Sequence, residues 1–574
     1  VKRIRNSEVA RVFRDISALL DLKGENPFRV RAYRRAAQVI ESLPEALSEV
    51  VCDEGRDLTS LQGIGKDLAA KITELLDTGR LGYLEELKAE VPLSLTDVMK
   101  LEGVGPKKAA AVYRELGVES VDQLEEAVRA GKVESLDGFG RKMAEKILKS
   151  IEGYRRRQGR FLYTEAEEYA EDLIHYLRAA TGAVHIEPTG SYRRGRETVG
   201  DLDILVATGD SGPVMDLFVG YESAEEVIAH GGTKSSIRLK NGIQVDLRAL
   251  PPGSFGAGLQ YFTGSQAHNV KLRALARKDG LKVNEYGVFR GDEKLAGKME
   301  EGVYRALGLP LIPPELREDR GEIEAALGPG LPELVKVGDI RGDLQMHTTA
   351  SDGADSIETM ALEARKLGYE YIAITDHSRS ETQAGGLTED EVMAHVAAME
   401  EVDRRIDGIR VLKGMEVDIL KDGTLDYPDE ILGRLDLVVV SVHSHFGLST
   451  GEQTARIVRA FENPHVNILA HPTGRLIRRR DPYEVDMKAV IAAAKAHGVA
   501  LEVNAFPDRL DLKDEHCRLA REMGVRVVIS TDAHRAGHMQ LMRYGVMTAR
   551  RGWLEGRDVL NTLPLEDFLK AMER

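Results

Sequence analysis

Seven short apolar runs in residues 339–574 constrain this chain more than any other feature. They read GDLQMH to His347, YIAITDH to His377, VLKGMEVD to Asp418, LVVVSVH to His443, VNILAH to His471, ALEVNA to Ala505 and RVVISTDAH to His534. Helix-like stretches of about 15 to 25 residues separate most of them, the spacing of βα units in a parallel sheet or barrel. In such barrels the reactive groups sit at the carboxyl ends of the strands, and His, Asp or Glu stands at six of these seven ends. A lone histidine there is more often a packed or surface residue. Its recurrence points to a metal cluster built from His347, Asp352, His377, Glu416, His443, His471, Asp532 and His534. Nitrogen and carboxylate donors without a thiolate suit Mn2+, Zn2+ or Fe2+, and eight such groups can hold two or three ions. Ions so clustered polarise a phosphodiester and turn bound water into hydroxide near neutral pH.

With 574 residues the chain exceeds one hydrophobic core, and roughly 150 residues per domain gives about four domains. No apolar run approaches the ~18 residues of a bilayer-spanning helix, and the first residues, VKRIRNSEVARVF, lack a secretory pattern. Cys52 and Cys517 cannot form a disulfide framework or a Cys-rich zinc site. A cytoplasmic chain with no membrane partner, monomeric by default, is therefore expected. The net charge of −15 argues against a polyanionic partner, but the average hides an asymmetry. Residues 1–40 carry ten Lys/Arg against four Asp/Glu, and residues 141–160 carry eight against two.

Three segments in that front end share one pattern: LQGIG with Gly63 and Gly65, LEGVG with Gly103 and Gly105, and LDGFG with Gly138 and Gly140. Each leads into an apolar-periodic helix. A Gly-apolar-Gly turn opening a helix frees backbone N–H groups and admits a phosphate, so it binds DNA backbone without reading bases. One copy could equally be a plain turn; three copies beside Lys66, Lys107, Lys108, Arg141 and Lys142 make helix-hairpin-helix motifs. Five prolines within 309–338 break regular structure, and the main boundary is expected there as a semi-rigid extended path.

A second chemical centre lies upstream. GSYRRG, starting at Gly190, precedes GDLDILV, in which Asp201 and Asp203 project from the same face of a strand, and Asp246 in IQVDLR could complete a triad. Three convergent carboxylates bind two Mg2+ or Mn2+ ions, one activating a 3′-hydroxyl and the other clamping a nucleoside triphosphate.

These motifs make residues 1 to about 320 resemble a family X DNA polymerase, the group that includes DNA polymerase beta. The resemblance implies a multidomain α+β and α/β chain. It divides into a lyase-like helical domain (1–92), a helical DNA-binding subdomain (93–158), a nucleotidyltransferase palm (159–250), a nucleotide-selecting subdomain (251–316) and a linker (317–338). It further implies that Ser191 and Arg194 hold the triphosphate tail, assisted by Arg160. Tyr261, Phe262 and Gly264 of YFTGS would meet the incoming sugar, and Asn269 and Arg273 the minor groove of the nascent pair. Lys71 matches a lysine that forms a Schiff base with a 5′-deoxyribose phosphate, with Arg29 and Tyr33 near a 5′-phosphate pocket. Asp67 stands where the family shows a phosphate-binding lysine, with Lys66 adjacent.

Residues 339–574 are similar to a PHP domain, the polymerase and histidinol phosphatase family, through DLQMH, SDG, TDH, GMEVD, SVHS, AHP and TDAH. The resemblance implies a (β/α)7 barrel. Gln345 replaces the first histidine of the family's His-x-His, and an amide oxygen is a weaker ligand than imidazole. His445 has no family role and reads as a surface residue. The implied activity is gap-filling DNA synthesis on gapped or nicked DNA carrying a 5′-phosphate, from dNTPs. The barrel would trim 3′ ends as a metal-dependent 3′–5′ exonuclease, with 3′-phosphatase or abasic-site activity as variants. A different reading makes the barrel a small-molecule phosphatase tethered to a DNA-binding, non-polymerising front end; a third makes the chain a non-catalytic scaffold. The aspartate triad and YFTGS weigh against the former, and intact metal sites against the latter.

Overall fold

The computed structural model describes residues 4, 6–41, 47–52, 58–61, 63–101, 103–136, 138–157, 159–181 and 185–573. Gln62, Glu102 and Asp137 of the three hairpin segments lie outside them. The chain divides into two compact units, residues 1–158 with 478–480, and residues 159–477 with 481–574.

The first unit is helical. Asn6–Lys23 and Pro27–Glu41 pack through Phe13, Ile16, Leu20, Tyr33 and Ile40, and the core continues through the helices Lys66–Thr78 and Pro106–Leu116. The middle residue of each hairpin turn, Ile64, Val104 or Phe139, is buried in this core. Burial of that one side chain holds the turn down. Gly63, Gly103 and Gly138 have φ of +96°, +84° and +78°, a region that L side chains avoid, which explains glycine there.

The second unit begins with the palm: β1 (Ile186–Pro188), β2 (Asp201–Ala207), β3 (Ala224–His230), β4 (Lys234–Leu239) and β5 (Gln244–Leu250), in the order β1-β2-β5-β4-β3. β2 and β5 run parallel and all other pairs antiparallel. Alternation along β2 buries Leu202, Ile204 and Val206 and leaves Asp201 and Asp203 on the other face. Helices Phe255–Thr263 and Gln266–Lys278 follow, with the three-stranded antiparallel sheet β6 (Lys282–Asn284), β7 (Gly287–Arg290) and β8 (Glu293–Ala296).

The barrel strands are β9 (Gly342–Asp343), β10 (Tyr371–Ile374), β11 (Arg410–Asp418), β12 (Leu437–Ser441), β13 (Val466–Leu469), β14 (Ala500–Asn504) and β15 (Val527–Ser530), all parallel and in chain order. A parallel bridge from Met346 to Ala533 joins the last strand region to the first, so the seven-stranded sheet nearly closes into the expected (β/α)7 barrel. The strands are buried on both faces, which is why they read as apolar runs without alternation.

The proline-rich segment differs from its expectation. It carries a helix at Glu322–Leu327, and Leu316, Ile323 and Leu334 enter one core with Tyr304 and Trp553. The division between compact units falls at 158/159 instead. Prolines exclude long regular elements, but the apolar side chains between them still find a surface to bury against.

Candidate functional sites

The palm carboxylates converge through register. Asp203 on β2 pairs directly with Asp246 on β5, and Asp201 lies two residues earlier on the same face. Asp246 accepts hydrogen bonds from Lys234 Nζ at 2.6 Å and Gln244 Nε2 at 3.0 Å. Burial, then the adjacent Asp201 and Asp246 charges, push the Asp203 pKa up to about 7. Crowded like charges of this kind are what a divalent cation relieves, so the donor set fits hard cations bound through oxygen.

The Gly190–Arg193 turn lies directly above. Thr189 N–H donates to Asp203 O at 2.7 Å, and a Cβ placed on Gly190, whose φ is +62°, would stand 2.5 Å from Asp203 Oδ2. Arg194 donates from Nη1 to Thr263 O at 2.5 Å and from Nε to Glu318 at 3.1 Å. Its neighbour Arg193 makes a two-pronged pair with Glu300, 2.8 and 2.7 Å, which also accepts from the fully buried Arg317 at 2.6 Å. Arg160 donates to Thr198 Oγ1 at 2.8 Å, near Asp201, while Ser191 is half-buried in the turn.

Tyr261 and Phe262 meet edge to face, with the Arg248 guanidinium 4.6 Å from the Phe262 ring centre. Gly264, with φ +69°, ends their helix. The Asn269 amide is bonded inside the protein through one donor and one acceptor: Nδ2 donates to Tyr261 O at 2.7 Å and Oδ1 accepts from Gln260 at 2.8 Å, which leaves a second N–H and a second lone pair. It therefore braces YFTGS, and Arg273 donates to its carbonyl at 3.2 Å.

In the helical unit, Gly65 and Gly105 cap their helices in extended conformation, and open space surrounds the Cβ positions of Gly65, Gly105 and Gly140. Lys66 and Lys107 are exposed beside them. Arg29 and Lys71 each lie 5.3 Å from the centre of the Tyr83 ring, and Tyr33 packs against the same ring. Tyr83 was not anticipated from sequence. Lys71 Nζ is paired with Asp67 at 2.5 Å, which engages the amine a Schiff base would need free.

At the barrel mouth the eight expected ligands come together, with four of the histidines around Glu416. Its carboxylate lies 3.0 Å from His471 Nε2 and 3.4 Å from His347 Nε2, His377 Nδ1 and His443 Nε2. Asp352 stands 3.8, 3.7 and 3.3 Å from His347, His377 and His534, and Asp532 lies 3.0 Å from His347. Ligand atoms of His347, Asp352, His377 and His534, of His377, Glu416 and His443, and of His347, Glu416 and Asp532 form compact groups. Burial disfavours the Glu416 charge, yet the surrounding imidazoles hold its carboxyl well below the usual range.

Buried His347, His377 and His471 each keep a ring nitrogen without a hydrogen-bond partner, and both amide atoms of Gln345 are likewise unpaired. Orphaned donors converging in one pocket fit transition-metal ions held by imidazole and carboxylate. His471 and Asp532 adopt φ of +26° and +55°, strain that aims their side chains inward. His445 is exposed, as expected. Asp418, not anticipated as a functional group, accepts from His443 Nδ1 at 3.0 Å and orients that ring. Its signal was present: it sits two residues after Glu416 on the same strand face.

Comparisons with known proteins agree with this geometry. Family models match as helix-hairpin-helix domain (4–81), SAM-like helix-hairpin-helix tandem (95–152), DNA polymerase beta palm (160–217), DNA polymerase beta thumb (258–318) and PHP domain (343–505). A Bacillus subtilis (strain 168) protein named DNA polymerase/3′-5′ exonuclease PolX is 41% identical over 575 aligned residues, covering 100% of both chains. The chain belongs to the family X DNA polymerases that carry a PHP domain. A probable phosphatase of Thermoanaerobacter sp. (strain X514) is 30% identical over 245 residues, 40% of this polymerase and 95% of the relative. One from Caldanaerobacter subterraneus is 32% identical over 203 residues, 33% and 75% of the two chains. Among the described residues of this family X member, no helix is long and apolar enough to cross a membrane.

Proposed function

We infer that the chain is a DNA-directed DNA polymerase that fills short gaps during repair, joined to a metal-dependent 3′–5′ exonuclease that processes 3′ ends. The observation that carries the reading is the in-register pair Asp203 and Asp246 beneath the Gly190 turn, in a chain similar over its whole length to a polymerase/exonuclease. Asp201, Asp203 and Asp246 would hold Mg2+ or Mn2+, which supplies activation of the 3′-hydroxyl and neutralisation of the pyrophosphate charge. Ser191 and Arg194 bind the triphosphate, assisted by Arg160. Tyr261, Phe262 and Gly264 shape the sugar pocket, which Asn269 also braces, and Asn269 and Arg273 meet the minor groove of the nascent pair.

Gly63, Gly65, Lys66, Gly103, Gly105, Lys107, Gly138 and Gly140 take the DNA backbone, while Arg29, Tyr33 and Lys71 receive the 5′-phosphate of a gap. At the barrel mouth the eight His, Asp and Glu ligands, with Gln345 as a weak ninth, would hold two or three Mn2+, Zn2+ or Fe2+ ions that supply hydroxide. The names of the relatives, probable phosphatases, favour a second reading of that mouth as a phosphomonoesterase, which on a DNA end would remove a 3′-phosphate. A tethered phosphatase without synthesis is disfavoured by the complete palm.

The test is a 5′-phosphorylated single-nucleotide gap incubated with wild type, Asp203→Ala and His471→Ala, with and without dNTPs. Asp203→Ala should lose extension and keep 3′ degradation; His471→Ala should do the reverse. Extension surviving Asp203→Ala removes the triad, and degradation surviving His471→Ala with full metal content removes the barrel site.

A further inference from the structure

The barrel helix Met542–Arg551 docks on the palm with one face. Arg543 Nη2 and Tyr544 Oη donate to Glu167 at 2.9 and 2.5 Å, and the Tyr544 ring meets Tyr163 edge-on. Tyr163 in turn stacks at 4.6 Å on Tyr192, inside the Gly190–Arg193 turn. Met547 Cγ lies 2.6 Å from where a Cβ on Gly195 would be, so only glycine lets the helix approach there. One helical face thus meets Gly195 directly and Tyr192 through Tyr163, on the segment that presents Ser191 and Arg194.

Arg551 ends that face. It is buried, its Nη1 donates to Arg194 O at 2.6 Å and to Glu318 Oε1 at 3.1 Å, and its Nη2 donates to Asp514 at 2.8 Å. Asp514, also paired with Arg320 at 3.1 Å, anchors the guanidinium to the barrel. Glu318 is shared: the same Oε1 accepts from Arg194 Nε, with Arg196 further away at 3.7 Å. Burial works against the Glu318 charge, and these guanidiniums hold its carboxyl below the usual range.

We propose that Arg551, a residue of the PHP barrel, is a positioning residue of the polymerase site: it caps the Arg194 carbonyl and balances Glu318, so that the Arg194 guanidinium stays available to an incoming triphosphate. The inference rests on the reading of Arg194 as a triphosphate ligand. One N–H each of Nε and Nη1 of Arg194 goes to Glu318 and Thr263, which leaves the second N–H of Nη1 and both of Nη2 as donors not used in these bonds. Without Arg551, the Glu318 carboxylate is compensated mainly by Arg194 itself and competes with the triphosphate for that one guanidinium. Synthesis therefore depends on the nuclease barrel through a charge relay of three residues.

Steady-state filling of a single-nucleotide gap by the full chain, with Mg2+ and varied dNTP, tests this beside 3′–5′ degradation and metal content. Arg551→Met should raise KM for dNTP about tenfold with kcat changed less than threefold, a loss of ground-state binding. Degradation and metal content should stay at wild-type values. Adding Glu318→Gln to Arg551→Met should recover most of the KM, because the uncompensated carboxylate is gone; a merely structural prop would show no such recovery. Should Arg551→Met not fold, Arg551→Lys carries the test with a KM rise of about threefold.

Arg194→Ala separates the two levels. If it leaves KM unchanged, the triphosphate reading fails; if it raises KM while the Arg551 variants do not, the present inference fails. Parallel loss of both activities in Arg551→Lys with a lowered melting temperature also overturns it.

Discussion

Gly190→Ala is the sharpest probe of the polymerase centre, because it adds one methyl group and removes no charged or hydrogen-bonding group. At φ +62° an L side chain costs about 1–2 kcal/mol of strain, and the new carbon would lie 2.5 Å from Asp203 Oδ2. The turn cannot back away, since Thr189 is bonded to the carbonyl of Asp203 itself. The carboxylate must retreat by about 1 Å to reach ordinary contact, a displacement that costs on the order of 100-fold in rate when it moves a reacting group. Single-turnover extension of a gapped primer should fall by about that factor, or about 2.7 kcal/mol in barrier. DNA affinity and 3′–5′ degradation of the same preparation should be unchanged. An alanine enzyme that extends within threefold of wild type would refute the claim that this glycine seats the metal-binding carboxylate.

Other expectations follow from the same geometry. Asp418→Asn should weaken transition-metal binding at the barrel about 10- to 100-fold by releasing His443, read by metal titration, while gap filling stays intact. Glu300, held at a pKa of about 2 against burial by Arg193 and Arg317, stabilises the fold fully above its ordinary pKa of 4.5. That contribution is lost as pH falls from 4.5 toward 2, so the acid melting curve of Glu300→Gln should be flatter than that of wild type in this window, and the variant less stable at pH 7 by about 3–5 kcal/mol with Arg317 left buried and unpaired. Lys66→Ala and Lys107→Ala should each lower the salt dependence of DNA binding by about one counterion, measured as the slope of log affinity against log salt. Borohydride trapping of a 5′-deoxyribose phosphate should be weak in wild type and rise in Asp67→Ala, which frees Lys71; trapping unaffected by Asp67 would show another nucleophile.

Much of the site was legible because its signals are local. Gly63-Ile64-Gly65 and its two counterparts state a turn, a buried anchor and a helix start within a few residues. Asp201 and Asp203 share a face by the period of a strand, and the barrel ligands stand where apolar runs stop. Each requirement is imposed by backbone geometry over a short stretch, so residue order alone determined the elements and the ligand types. Tertiary structure decided the partnerships. Strand order brings Asp246 beside Asp203, and barrel closure brings Asp532 to His347. Folding also commits Asn269 to Tyr261 and Lys71 to Asp67, and it turns a proline-rich stretch into the packed strip that delivers Glu318 to Arg194 and Arg551. Contacts between residues far apart in the chain depend on which faces are buried together, and a periodicity read along the chain records that a face exists without recording what it meets.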